Sequence, residues 1–116
     1  MMKEIPQELQ EVLDRYTQEM RKLYGGNLRE VILYGSYARG DYREDSDIDI
    51  MVLVTLDEDS ICNTRKQVYD LSYDFWWDYE VDINPIVKNE THFRNWVESY
   101  PFYGNVDREG VRLYAA

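Results

Sequence analysis

The 116-residue sequence predicts a single α/β domain, one sheet with helices packed chiefly on one face. Three observations predict it: a long amphipathic helical period at the start, short apolar runs bounded by turn residues, and a return to helical spacing between two such runs. Ile5, Leu9, Val12, Leu13, Tyr16, Met20, Leu23 and Tyr24 recur at helical spacing, with Pro6 near the start and Gly25-Gly26 just past the end. Val31-Ile32-Leu33-Tyr34, stopped by Gly35, reads as a buried strand. Ser36 to Ser46 is polar and turn-rich. Asp47-Ile48-Asp49-Ile50 opens an alternating segment that runs into Met51-Val52-Leu53-Val54, a second strand.

Asp57 to Ser60 offers caps for a second long helix, carried by Ile61, Val68, Leu71, Phe75 and Trp76 and ending near Trp77. Tyr79 to Val87 returns to strand-like alternation, with Val81 and Ile83 on one face and Glu80, Asp82 and Asn84 on the other; Pro85 marks an edge or a bulge. Phe93, Trp96 and Val97 suggest a short third helix that Pro101 breaks, and Val111 to Tyr114 a last short strand. There are no repeats, linkers or low-complexity segments, so residues 1–116 read as one domain.

A composition of 44% hydrophobic and 31% charged residues suits a chain that buries a core. Lys and Arg total 13 against 23 Asp and Glu, a formal charge of -10, so the field of the whole molecule repels nucleic-acid phosphates. The same acidity suits divalent cations or a basic protein partner. No apolar run approaches the ~20 residues of a membrane span, and Met1-Met2-Lys3-Glu4-Ile5-Pro6 has no signal-peptide core, so a cytoplasmic protein without membrane contact is expected. Cys62 stands alone and reads as a structural thiol; His92, also alone, reads as a packing or surface residue.

The chemistry is concentrated between Gly35 and Asp49. Gly35 lets backbone amides approach a phosphate closely, and Ser36 adds a hydroxyl where a helix can begin. Asp47 and Asp49, two apart on a strand, project from the same face and can hold hard cations between them, and two metals about 4 Å apart could clamp the attacking and leaving oxygens of a displacement. Asp82 is the natural third carboxylate. Gly-Ser alone is only a turn and Asp-x-Asp alone is common; their spacing, each beside an apolar strand, is what points to a site.

This pattern, Gly35-Ser36 through Asp47-Ile48-Asp49 with Tyr79-Glu80-Val81-Asp82-Ile83 as a third-aspartate strand, resembles the minimal members of the DNA polymerase β-like nucleotidyltransferases. These are often encoded beside a HEPN-domain toxin. Residues 101–114 are also similar to the end of minimal members. The resemblance implies a two-layer nucleotidyltransferase fold with a mixed sheet. It also implies ATP as substrate, Gly35 and Ser36 on its phosphates, two magnesium ions held by Asp47 and Asp49, and Asp82 on one of them, helping to deprotonate the acceptor. Arg39 and Arg43 lie between the motif halves; Arg39 is a candidate phosphate contact, although a surface role competes for both. Tyr37 and Tyr42 read as packing residues.

Three functions follow from the resemblance. The first is an antitoxin that moves AMP from ATP to a tyrosine of a partner HEPN toxin, with which it would form a hetero-oligomer. The second is an aminoglycoside-type transferase acting on a small hydroxyl, which would need a second domain in trans. The third is a binding module that uses the fold only as a scaffold; the presence of all three aspartates argues against it.

Overall fold

The computed structural model describes residues 4–116, so Met1, Met2 and Lys3 of the segment judged for a signal-peptide core lie outside the described residues. Four strands form one mixed sheet in the order β3-β2-β1-β4. The chain runs α1 (Gln7–Tyr24), β1 (Leu28–Tyr34), α2 (Ser36–Arg39), β2 (Ile48–Val54), α3 (Glu58–Tyr79), β3 (Ile83–Asn89), α4 (Glu90–Trp96), α5 (Pro101–Glu109) and β4 (Val111–Ala115). β1 pairs antiparallel with both β2 and β4, and β2 pairs parallel with β3.

Alternation along the strands divides the core in two. Val31 and Leu33 of β1 and Ile48, Ile50, Val52 and Val54 of β2 face Leu13, Tyr16 and Met20 of α1 and Ile61, Val68 and Phe75 of α3. Ile32, Met51 and Leu53 face the opposite way, against Phe93 of α4 and Tyr103 and Val106 of α5. The two long helices thus cover one face, as expected, while two short helices cover part of the other. The larger cluster also satisfies its polar atoms, the Tyr16 hydroxyl meeting Ser72 Oγ at 3.1 Å and that of Tyr24 meeting Thr64 Oγ1 at 2.8 Å.

Most elements follow their sequence signals. Asp57 caps α3 by accepting from the Ser60 N–H at 2.9 Å, and Pro85 sits on β3, an edge strand. Three segments differ from expectation. α3 continues to Tyr79 and stops with Glu80 in the left-handed region at φ 56°, so β3 begins only at Ile83 and Asp82 precedes the strand. Pro101 does not merely end a helix but opens α5 at its first turn, where a missing N–H costs nothing. Cys62 is exposed on α3, so it has no packing role.

The smaller face carries a ring of charge. Glu30, 7% exposed on β1, accepts from Arg94 of α4 and from Arg112 Nε of β4 at 3.2 Å. Asp107 of α5 accepts from the same two guanidiniums, at 3.2 Å and 2.6 Å, which closes the ring and fastens α4, α5 and β4 to the central strand.

Candidate active site

β1 ends at Tyr34, and the turn that follows depends on Gly35. Its φ of 76° with ψ of -153° lies in a region essentially reserved for glycine. A Cβ placed there would collide with the Asp49 carboxylate, because Tyr34 and Asp49 are paired across β1 and β2. The Gly-Ser and Asp-x-Asp halves of the motif are therefore in contact. Ser36 begins the one-turn helix α2, which Gly40 ends at φ 83° with its N–H donating to the Ser36 carbonyl. Tyr37 and Tyr42 stack at 4.3 Å and brace the loop, as their reading as packing residues requires.

Gly35, Ser36, Arg39, Asp47 and Asp49 line one open cleft of about 580 Å³. Asp49 sits on the α4/α5 side of the sheet, with Ile48 and Ile50 buried on the other side. Its carboxylate accepts from Asn84 Nδ2 at 3.4 Å. Burial pushes the Asp49 carboxyl above its ordinary value, Asn84 opposes that shift, Asp47 adds to it, and Arg39 opposes it. Tyr34, beneath the cleft, is pushed up to about 12 by burial and by the Asp49 charge, so its hydroxyl keeps its proton.

Asp82 does not line this cleft. It lines an adjoining groove of about 430 Å³ that shares Ser46 with the cleft and includes Tyr37, Trp76 and Glu80. The parallel pairing nonetheless delivers it beside Asp47: the Ile48 N–H donates to the Asp82 carbonyl at 2.8 Å. Desolvation raises the Asp82 carboxyl, and a hydrogen bond and charge repulsion from Asp47 raise it further. Asp47 thus stands between two partners, Asp49 on the cleft side and Asp82 on the groove side.

Among the described residues, no three carboxylate, imidazole or thiol groups converge into a ready-made cation site. The donor chemistry still fits magnesium, since the carboxylates are hard oxygen ligands; Asp49 and Asp82 are raised chiefly by desolvation, with the Asp47 charge adding to both.

Arg39 lines the cleft, but its Nε donates to Asp41 at 3.3 Å and its Nη1 to Glu109 at 3.5 Å across the mouth. Arg43 is exposed and is not among the cleft residues; its backbone N–H donates to Ser46 Oγ at 2.8 Å, which shapes the turn before Asp47.

The far wall comes from α5 through Phe102, Asn105 and Glu109, with Phe102 edge-on to Tyr34 at 5.6 Å. Sequence reasoning missed this wall because Pro101 was read only as a breaker; proline at a first helical turn is the signal that would have found it.

The Nucleotidyltransferase domain family matches residues 13–103. A protein of Methanocaldococcus jannaschii, described as a candidate protein adenylyltransferase, is 36% identical over 105 residues, which cover 90% of this chain and 97% of that protein. A solved structure from Sulfolobus solfataricus, described as a candidate nucleotidyltransferase, superposes with TM-score 0.63 at 22% identity, covering 91% of this chain and 79% of that one. A structure of a toxin–antitoxin pair, MntA–HpeT, superposes with TM-score 0.54 at 19% identity over 89% of this chain and 73% of that one. Matched over residues 13–103 and 36% identical to the M. jannaschii protein along nearly its whole length, the chain, whose Gly35 meets Asp49 in the cleft, belongs to the nucleotidyltransferase domain family and is an enzyme of that class.

Proposed function

We propose that this enzyme transfers AMP from ATP to a hydroxyl of a protein, a tyrosine of a partner HEPN-domain toxin, and so acts as an antitoxin in the cytoplasm. The observation that carries the reading is the division of the site around Asp47. On one side lies a cleft that pairs a glycine-serine turn with Asp49, and on the other a groove that holds Asp82. A nucleotidyl transfer needs two such compartments, one for the donor and one for the acceptor.

In this reading the Gly35 and Ser36 turn orients the triphosphate, and Arg39 contributes a guanidinium once it leaves Glu109. Asp47 and Asp49 would hold two magnesium ions with Asp82 on one of them; these ions supply neutralisation of phosphate charge. The acceptor oxygen attacks the α-phosphorus from the groove side, the bond to the β-phosphate bridging oxygen breaks, and pyrophosphate leaves through the cleft. Asp82, whose carboxyl is already shifted toward holding a proton, accepts the proton of the acceptor hydroxyl.

Likeness to the M. jannaschii protein supports a protein acceptor, and likeness to a chain of the MntA–HpeT pair agrees with a toxin partner bound in a hetero-oligomer. Adding AMP beside a toxin's RNA-binding surface would set negative charge where RNA phosphate must sit.

The test is intact-mass spectrometry of the partner toxin after incubation with the enzyme, ATP and magnesium. One or more adenylate increments on a tyrosine are expected, and none with Asp47→Asn. A toxin fully inhibited at equal stoichiometry without mass change would favour the binding module, and transfer to an aminoglycoside instead would favour the small-molecule reading.

A further inference from the structure

Outside the cleft, the largest unexplained feature is the outer flank of α3. Tyr69, Tyr73, Trp76 and Trp77 are 56%, 60%, 51% and 68% exposed on this one helix. Side chains three and four apart share a flank, so Tyr69, Tyr73, Trp76 and Glu80 form one row, with Trp77 packed edge-on to Tyr73 at 6.2 Å. Four half-exposed aromatic side chains amount to roughly 300–600 Å² of apolar surface, the size at which a patch marks an interaction site.

Two further observations say what covers it. The row runs into the acceptor-side groove, where Trp76 and Glu80 stand with Asp82. Exposed Asp70, Asp74 and Asp78 form the adjacent row at four-residue spacing; Asp70 accepts from Lys66 Nζ at 2.7 Å, so the negative edge of the apolar strip is carried chiefly by Asp74 and Asp78. A second copy of this chain, of charge -10, would set those carboxylates against their own kind if it packed symmetrically. A basic partner meets no such repulsion.

We propose that this flank of α3 is the docking surface for the acceptor protein, which lays a basic face studded with apolar side chains along Tyr69 to Trp77 and thereby carries its hydroxyl into the Asp82 groove. The identity of the occupant as acceptor rests on the transfer reading; the surface and its preference for a cationic face do not. Lys and Arg on the partner gain from the acidic row and from the faces of the exposed tryptophans, and its apolar side chains displace water from the same rings.

The probe is an amphipathic helical peptide of about 20 residues, long enough to hold a helix on binding, built from Lys, Leu and Ala with one Tyr, alongside a counterpart with Glu for every Lys. Binding to the full ¹⁵N-labelled chain is followed by chemical-shift mapping. The cationic peptide is expected to bind at least tenfold more tightly than the anionic one at about 0.1 M salt, and to shift amides of α3 and the groove. The double variant Tyr73→Ala with Trp77→Ala should weaken it at least tenfold while the thermal shift with ATP and magnesium stays as in the wild type. Asp70→Lys with Asp74→Lys should reverse the charge preference.

Equal binding of both peptides, shifts confined to another face, or unchanged affinity in the aromatic variant would overturn the proposal. So would a wild-type dimer that the aromatic variant converts to a monomer, because the flank would then belong to a second copy. Docking of the cationic peptide to α3 with no AMP gained on any tyrosine-bearing partner would sink the transfer reading and leave the docking surface standing.

Discussion

Gly35 is the residue on which the site turns, because one atom more would be felt by two constraints at once. Gly35→Ala must leave the φ 76°, ψ -153° conformation, which costs about 1–3 kcal/mol, and must also push the Asp49 carboxylate away. The variant should melt lower and lose the thermal shift expected of the wild type with ATP and magnesium; a shift of wild-type size would show that the turn does not hold the nucleotide. The aspartates carry a second expectation, in pH. Asp49 and Asp82 have carboxyls raised above the ordinary 3.8, so the metal-free folded state binds protons more tightly than the unfolded chain does. Their contribution to stability is fully present below pH 3.8 and is lost as pH rises through the raised folded values. Melting curves in EDTA should therefore fall less steeply with rising pH in Asp49→Asn and Asp82→Asn than in the wild type, and both variants should melt higher near neutrality. Asp82 is exposed, so its share is the smaller. Asp47→Asn should fold normally and abolish transfer; an unchanged transfer rate would remove Asp47 from the mechanism. The spacing of Gly35, Ser36, Asp47 and Asp49 made them legible in the sequence because a turn and a strand are local. Their electrostatic state was not legible, since it depends on Asn84 and Asp82 arriving from elsewhere in the chain.

α5 shows where local reading ran out. It is only nine residues long, and it is secured less by its own sequence than by Tyr103 and Val106 in the smaller core and by the Glu30, Arg94, Asp107 and Arg112 ring. That ring decides how firmly the far wall of the cleft is held. Removing Glu30 leaves Arg94 and Arg112 near a buried position with only Asp107 to compensate them; both guanidiniums keep some water, so Glu30→Ala should cost about 2 kcal/mol rather than the larger penalty of a fully buried pair. Urea unfolding measures that loss, and calorimetry with ATP should show weaker binding as Phe102, Asn105 and Glu109 loosen. Intact ATP affinity despite lost stability would mean that α5 is set by the core alone. The start of β3 was misplaced for a related reason: Glu80 and Asp82 alternate like strand residues, yet Phe75 and Tyr79, 5.1 Å apart, extend the helical packing past Trp77, and only the left-handed Glu80 stops it.

Across the whole molecule, the charge of -10 and the exposed aromatic flank act on different steps of association. Charge governs the approach of a basic partner and should be screened, so the association rate should drop steeply between low and physiological salt while dissociation changes little. Stopped-flow measurement with the cationic peptide checks this, and a salt-independent association rate would refute it. The α/β class and the order of the longer strands and helices were legible because each rests on periodicity. The second, smaller core was not, because it is assembled from short segments that meet only in the fold. The sheet pairing also sets an order in time. Gly35 and Asp49 are neighbours across an antiparallel pair joined by a short connection, whereas Asp82 reaches Asp47 only after the α3 crossover has closed a parallel pair. Contacts of short sequence separation form first because less chain entropy is spent in closing them. In refolding followed by pulsed hydrogen exchange, amides of β1 and β2 should gain protection before those of β3, so the glycine turn would meet Asp49 before Asp82 is brought beside Asp47.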